Sequence, residues 1–227
     1  AVDGGFAEYV TVPEETVYPI AEGVSYEAAA MTEPISCCLH GFDMTEVRMG
    51  DTVMIVGTGN IGLIMVQLAR HAGADKIIAV EPNPVRREKA IHLGADFGID
   101  PMKDDTAKIL AEHGIVNVDK VIDCAGRTST AEYAVEFAGK GATVMLFGLT
   151  GPDDVMGLKP FMVFQKELTI KGSFVNPDTF ERAGRLIGSG IIRTEEIISD
   201  IIDLDDIQRV FEERLYAKDG KVLIKCD

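Results

Sequence analysis

One turn constrains this chain more than any other feature. Gly57-Thr-Gly59-Asn-Ile-Gly62 follows the apolar run Thr52-Val-Met-Ile-Val56 directly and opens a long apolar segment reaching Ala72. That order reads as strand, tight turn and helix. Gly57 supplies the backbone angles of a sharp turn, and Gly59, without a Cβ, lets the main chain approach a ligand closely. Gly62 lies one turn into the helix, where a missing side chain lets helix and strand pack tightly. The unpaired N–H groups and positive dipole end at the helix start, around Asn60 and Ile61, form an anion site.

The dinucleotide-binding fingerprint has this placement, and Glu81 follows at the end of a second strand, Lys76 to Val80. A carboxylate there accepts hydrogen bonds from the adenosine ribose hydroxyls and repels a 2'-phosphate, which favours NAD over NADP. Two plainer readings stand beside these: a strand-to-helix turn that is merely rich in glycine, and a solvated carboxylate at a strand end. Arg86 and Arg87 complicate the preference. A guanidinium can grip a phosphate or stack on adenine, and both residues serve equally well as charges on an exposed helix face.

From Gly50 onward, strand-like runs alternate with helix-period segments, the pattern of a parallel sheet covered on both faces. The spacing predicts strands at Thr52 to Val56, Lys76 to Val80, Phe97 to Ile99, Lys120 to Cys124, Ala142 to Phe147 and Leu168 to Gly172. These make an α/β, doubly wound, six-stranded sheet. Helices fall between them at about Asn60 to Ala72, Pro84 to Leu93, Asp105 to His113 and Ser129 to Ala138, with Gly73, Gly94, Gly114 and Gly139 as C-cap glycines. Outside this block the pattern changes. Phe6 to Pro19 reads as short strands with prolines, and Gly220 to Lys225 as a lone strand after an amphipathic helix at about Leu204 to Tyr216. The opening Ala-Val-Asp-Gly-Gly, in mid-strand and without methionine, leads to the expectation that an amino-terminal part of a larger protein precedes it.

Composition closes off some functions. A net charge of -15 repels nucleic acid and anionic membranes, which leaves small molecules as partners. No apolar stretch is long enough to span a bilayer and the first residues are unlike a signal peptide, so the chain reads as cytoplasmic. Cys37, Cys38, Cys124 and Cys226 include an adjacent pair and no C-x-x-C spacing; they read as buried thiols rather than a disulfide framework or closed zinc site. His40, His71, His92 and His113 stand singly on helical segments and read as surface or cap residues.

At this point the sequence resembles the zinc-dependent medium-chain dehydrogenases, the group of alcohol, sorbitol, butanediol and threonine dehydrogenases. The resemblance rests on Gly4-Gly-Phe-Ala-Glu-Tyr9, Glu33-Pro34, Gly57-x-Gly-x-x-Gly62, Val80-Glu-Pro-Asn-Pro84 with Arg86, Val121-Ile-Asp-Cys-Ala-Gly126, Phe147-Gly148, Leu168-Thr-Ile-Lys-Gly-Ser173 and Gly220-Lys-Val-Leu-Ile224. It implies a GroES-like catalytic domain interrupted by a Rossmann domain. Residues 1–34 would be the tail of the catalytic domain, 35–175 the dinucleotide-binding domain and 176–227 the returning segment. The family's upstream cysteine and Gly-His-Glu zinc ligands, and its four-cysteine structural lobe, are not in this stretch.

The resemblance also implies roles. By itself, Glu33 in a first helical turn complements the helix dipole; in the sorbitol-dehydrogenase-like branch the matching glutamate lies at the catalytic zinc. That would make Glu33 the catalytic and metal residue here, beside a zinc acting as Lewis acid on the alcohol. Arg86 would lie near the adenosine, and the backbones of Cys124, Ala125, Phe147 and Ser173 would hold adenosine and carboxamide at the strand ends. The implied activity is reversible NAD-linked oxidation of a secondary alcohol or polyol to a ketone by a homodimer or homotetramer. Two alternatives remain: a zinc-free NADPH-using reductase of the quinone-oxidoreductase type, against which Glu33-Pro34 and Glu81 speak, and a non-catalytic nucleotide-binding module.

Overall fold

The structure is a computed structural model that describes residues 4–213 and 220–226. Six parallel strands form the main sheet: β1 (Thr52–Val56), β2 (Lys76–Val80), β3 (Phe97–Ile99), β4 (Lys120–Asp123), β5 (Thr143–Leu146) and β6 (Thr169–Gly172). Their spatial order is β3-β2-β1-β4-β5-β6, so the order of crossing reverses between β1 and β4. Side chains alternate across the sheet, as the strand period of two requires. Val53, Ile55, Ile77, Ala79, Ile122 and Met145 enter one core, while Met54, Val56, Ile78, Val80, Val121 and Val144 enter the other. Burial on both faces explains why these strands read as unbroken apolar runs.

The first face is covered by α2 (Thr32–Thr45), α3 (Asn60–His71), α4 (Pro84–His92) and α8 (Phe180–Gly188), preceded in the chain by the short α1 (Tyr26–Ala30). The opposite face carries α5 (Thr106–Glu112), α6 (Thr128–Phe137) and α7 (Pro160–Lys166). Local chemistry starts two of these helices: Asn83 accepts from the N–H groups of Val85 and Arg86 ahead of Pro84, and Asp105 accepts from Lys108 N–H. Gly73, Gly94 and Gly114 take positive φ at helix ends as expected. Gly139 does not. Its helix ends in extended backbone at Ala138, and Gly139 is small because Asn117 and the Val118 amide press against its Cα.

The ends of the chain differ from expectation. Phe6 to Pro19 forms no strand; its one regular piece is a single 3-10 turn, Glu14–Thr16, and most of its residues are exposed. Strands need a neighbour to take their ladder bonds, and none lies alongside this segment among the described residues. The closing strand β8 (Lys221–Lys225) is not alone, because β7 (Ile198–Asp203) pairs with it in parallel. The expected helix from Leu204 begins with a 3-10 turn, Leu204–Asp206, and continues as α9 (Ile207–Glu213); its remainder to Tyr216 lies outside the described residues. Ala183, Ile187, Ile192 and Ile197 share the core of the first face, so the chain beyond residue 175 packs partly into the same body as the sheet.

Candidate active site and cofactor crevice

The carboxyl ends of β1 and β4 diverge where the topology reverses, the place at which open α/β sheets bind ligands. The ladder runs one bond past each strand: Gly57 N–H donates to Val80 O at 2.8 Å and Cys124 N–H to Val56 O at 2.8 Å. Gly57 then turns with φ +87, a conformation side chains rarely adopt, and its Cα faces Ala125 closely. Gly62 packs onto the Gly57 carbonyl, so that a Cβ there would drive into backbone. Gly59, by contrast, has nothing within 4 Å of where its Cβ would be, and it caps α3 without a side-chain bond, so the first amides of the helix, at Asn60 and Ile61, have no side-chain cap.

Glu81 sits inside this turn rather than at its rim. Only 6% exposed, its Oε2 accepts from Thr58 N–H and its Oε1 from Asn83 N–H, each at 3.0 Å. Thr58 is fully buried, and its hydroxyl reaches the Arg86 carbonyl at 3.4 Å. The carboxylate therefore joins the β1–α3 turn to the β2–α4 turn, and it is no freely solvated strand-end charge. Two arginines follow with different employment. Arg87 is turned inward, with its guanidinium on the Glu81 carbonyl and 3.8 Å from the buried Asp100 carboxylate. Arg86 is half-buried beside the glycine turn.

Across the crevice, Asp123 was not anticipated as a site residue. It is 1% exposed at the end of β4; its Oδ1 accepts from Ala125 N–H at 3.1 Å, and its carbonyl accepts from the N–H groups of both Phe147 and Gly148. Burial raises its carboxyl above the usual range, against the hydrogen bonds that pull it down. The one sequence signal was an acid closing an apolar strand. Ser173 follows β6, and its hydroxyl is enclosed with no hydrogen-bond partner among the described residues, packed beside Phe147 and Gly41. Phe147, Ser173, Cys124 and Ala125 thus lie at or just beyond the carboxyl ends of β4, β5 and β6, with Gly57 to Gly62 and Glu81 at those of β1 and β2.

Glu33 is exposed in the first turn of α2, and Cys37 one turn on donates to its Oε1 at 3.3 Å. Burial, followed by the Glu33 hydrogen bond and charge, pushes the Cys37 thiol up to about 11. Cys38, pointing the other way, is 0% exposed in the core, whereas Cys37, Cys124 and Cys226 are half-buried, less deeply than expected. Among the described residues no three His, Cys, Asp or Glu side chains gather as a metal-binding group. His71, His92 and His113 are exposed and His40 half-buried; His92 meets Glu196 at 3.3 Å and His113 stacks on Phe97. A separate cavity of about 760 Å³ between residues 16–32 and α8 is walled mainly by apolar groups, and its charged lining residues, Glu181 and Arg185, pair with each other.

Strand order, the glycine turn at the reversal and an acid closing β2 define a Rossmann-like α/β domain. Residues 60–189 match the zinc-binding dehydrogenase family, and the chain belongs to that family. D-arabitol-phosphate dehydrogenase of Enterococcus avium is 31% identical over 99% of this chain and 65% of its own length. Among solved structures, a zinc-binding dehydrogenase of Sinorhizobium meliloti 1021 bound to NADP superposes with a TM-score of 0.91 at 37% identity, covering 98% of this chain and 66% of that one. A short chain alcohol dehydrogenase of Escherichia coli CFT073 complexed with NADH gives 0.90 at 27% identity, with the same coverage of 98% and 66%. The chain therefore spans about 65% of the length of curated relatives it matches. No helix among the described residues is long and apolar enough to cross a membrane.

Proposed function

We propose that this chain is the cofactor-binding part of an NAD(H)-dependent dehydrogenase that, at full length, reversibly oxidises a secondary alcohol, polyol or comparable hydroxy compound to a ketone. The observation that carries this reading is the glycine turn at the topological reversal with Glu81 fixed beside it. NAD(H) supplies the hydride acceptor and donor. The open face of Gly59 and the amides of Asn60 and Ile61 fit a pyrophosphate, Glu81 fits the ribose hydroxyls with its unused lone pairs, and Arg86 lies on the adenosine side. Main-chain groups at Cys124, Ala125, Phe147 and Ser173, at or just beyond the strand ends, would hold the adenosine and the carboxamide. Binding the adenosine half fixes the reacting ring in place, so that the transfer becomes effectively intramolecular.

NAD is preferred over NADP because a 2'-phosphate would meet the Glu81 carboxylate where two backbone donors hold it. For zinc the fit is incomplete. A catalytic site takes three protein ligands, and this chain offers Glu33 with only Cys37 beside it. Glu33 is thus the one donor this chain would bring to a metal site completed elsewhere in the full-length protein. Residues 1–34 and 176–227 are assigned to the catalytic domain and 35–175 to the cofactor domain. The partners are an alcohol or polyol and a second copy: β6 is an edge strand, and Phe161 and Phe164 stand exposed on α7 next to it in sequence. A monomer by light scattering at micromolar concentration contradicts the pairing. A charge of -15 disfavours nucleic acid and anionic membranes as partners.

The test is to assay the full-length protein with NAD and with NADP against a panel of polyols and secondary alcohols. Reversible NAD reduction that is lost on chelation and restored by zinc is expected. Metal-independent quinone reduction with NADPH, and no alcohol oxidation, would reject the reading.

A further inference from the structure

The loop between β6 and α8 is held in a conformation its sequence does not favour. Val175 has φ +53 and Asp178 φ +57, both in the left-handed region. For a β-branched residue this is a genuine outlier, and such strain persists only where the surroundings over-determine it. Val175 is 53% exposed, so burial of its side chain does little to hold it there.

Asn176, between the two strained residues, and Thr179, just after them, form an anchor. Asn176 Nδ2 donates to Ser36 Oγ at 2.6 Å, and Thr179 Oγ1 donates to the Ser36 carbonyl at 2.8 Å. Ser36 is 0% and Thr179 4% exposed, so water cannot replace the Thr179 bond, while Asn176 is half-buried. The Ser36 hydroxyl both accepts and donates, because its own proton goes to the Glu33 carbonyl at 2.6 Å. A second tie between the same helices, the Arg182–Asp43 ion pair, is exposed and therefore weaker. Ser36 thus stands one turn after Glu33 on α2 and grips the loop three residues after Ser173.

We propose that Ser36 is a positioning residue: its hydroxyl through Asn176, beside its carbonyl through Thr179, locks the strained β6–α8 loop, and so fixes the Ser173 end of the crevice relative to the Glu33 end of α2. This rests on the NAD(H) reading above for its functional half, since Ser173 matters there as a support for the carboxamide. Breaking the lock frees the loop to leave the left-handed region, and the nicotinamide end loses its fixed wall. The adenosine end, built on β1 and β2, is untouched.

The test uses Ser36→Ala, Val175→Gly and their combination in this chain. Alone, Val175→Gly relieves strain and should raise the melting temperature by about 2–5 °C, while Ser36→Ala removes the bond from the half-buried Asn176 amide and should lower it by about 1–6 °C. Ser36→Ala keeps the Thr179 bond to the Ser36 carbonyl but frees Asn176, the residue next to Val175, so in that background the rise from Val175→Gly should shrink. Calorimetry with ADP and with NADH then separates the two ends of the crevice. ADP affinity should stay within about twofold in Ser36→Ala while NADH affinity falls about five- to tenfold, a difference that only a lost nicotinamide-end contact produces. Should Ser36→Ala fail to fold, Asn176→Ala removes the same bond from the loop side and takes its place. Additive melting shifts, or ADP and NADH affinities that change together, overturn the lock. A wild-type chain that binds neither ligand rejects the cofactor reading and the positioning role with it, whereas the melting cycle still reports on the lock by itself.

Discussion

Removing the Glu81 side chain should have two separable effects, because the structure gives that carboxylate one employment, the brace between two turns, and the proposed function gives it a second, the ribose contact. In Glu81→Ala the Thr58 N–H loses its acceptor; Thr58 is fully buried, so no water takes over, and an unsatisfied buried donor costs about 1–3 kcal/mol. Asn83 is exposed, and its N–H finds water at little cost. For a chain of 227 residues, where each kcal/mol moves the midpoint by about 2–4 °C, melting without any cofactor should fall by about 2–12 °C. The second effect is on binding. A hydrogen bond to a charged acceptor contributes about 1.5–3 kcal/mol, so NAD affinity should drop about 10- to 150-fold. NADP affinity should rise, since the repulsion of its 2'-phosphate is gone. Differential scanning of the cofactor-free variant and calorimetric titration with both nucleotides read these effects separately. Unchanged apo melting would refute the brace between the two turns, and equal losses for NAD and NADP would refute the ribose contact.

In Gly62→Ala a gain of about 1 kcal/mol in helix propensity opposes about 1–3 kcal/mol of overpacking against the Gly57 carbonyl, so thermal denaturation should show a lower midpoint; a higher one would mean the turn is not tightly packed. Cys37, with its thiol pushed up to about 11 chiefly by burial, should alkylate slowly until the pH nears that value, and Glu33→Gln should speed it at a given pH, as mass spectrometry of the labelled peptide will report. Asp123 carries a raised carboxyl, so the stability it contributes is complete below the unfolded value of about 4 and is lost as pH rises through the folded value. Urea denaturation should therefore show Asp123→Asn gaining on the wild type as pH is raised from about 4 to neutrality, and a pH-independent difference would contradict the assigned shift.

Much of this fold could be read from the sequence because parallel strands buried on both faces are continuous apolar runs. Thr52–Val56, Lys76–Val80 and Phe97–Ile99 fall where expected, and the other three strands of the sheet are shorter than expected by one or two residues. The regions that failed are those where local pattern does not decide. Ile198–Asp203 is a strand because β8 lies alongside and takes its ladder bonds, and nothing in its own spacing announces that neighbour. Phe180–Gly188 did carry a helical spacing, with Ala183 and Ile187 inward, but lacks a side-chain cap to mark its start. Phe6 to Pro19 has β-forming residues without a neighbouring strand among the described residues, and propensity alone does not make a strand. In the crevice, residue types with unique backbone or charge roles, Gly57, Gly62 and Glu81, were legible. Thr58, Asp123 and Ser36 were not, since each acts through contacts between elements far apart in sequence or through a bond to backbone that any polar residue could make.

Calorimetric titration of this chain with NADH and NADPH bears on the crevice without the rest of the protein. A single saturable site that binds NADH more tightly than NADPH is the predicted result; no saturable binding of either, or tighter NADPH, would contradict the assignment of Gly57 to Gly62 and Glu81 as the NAD(H) site.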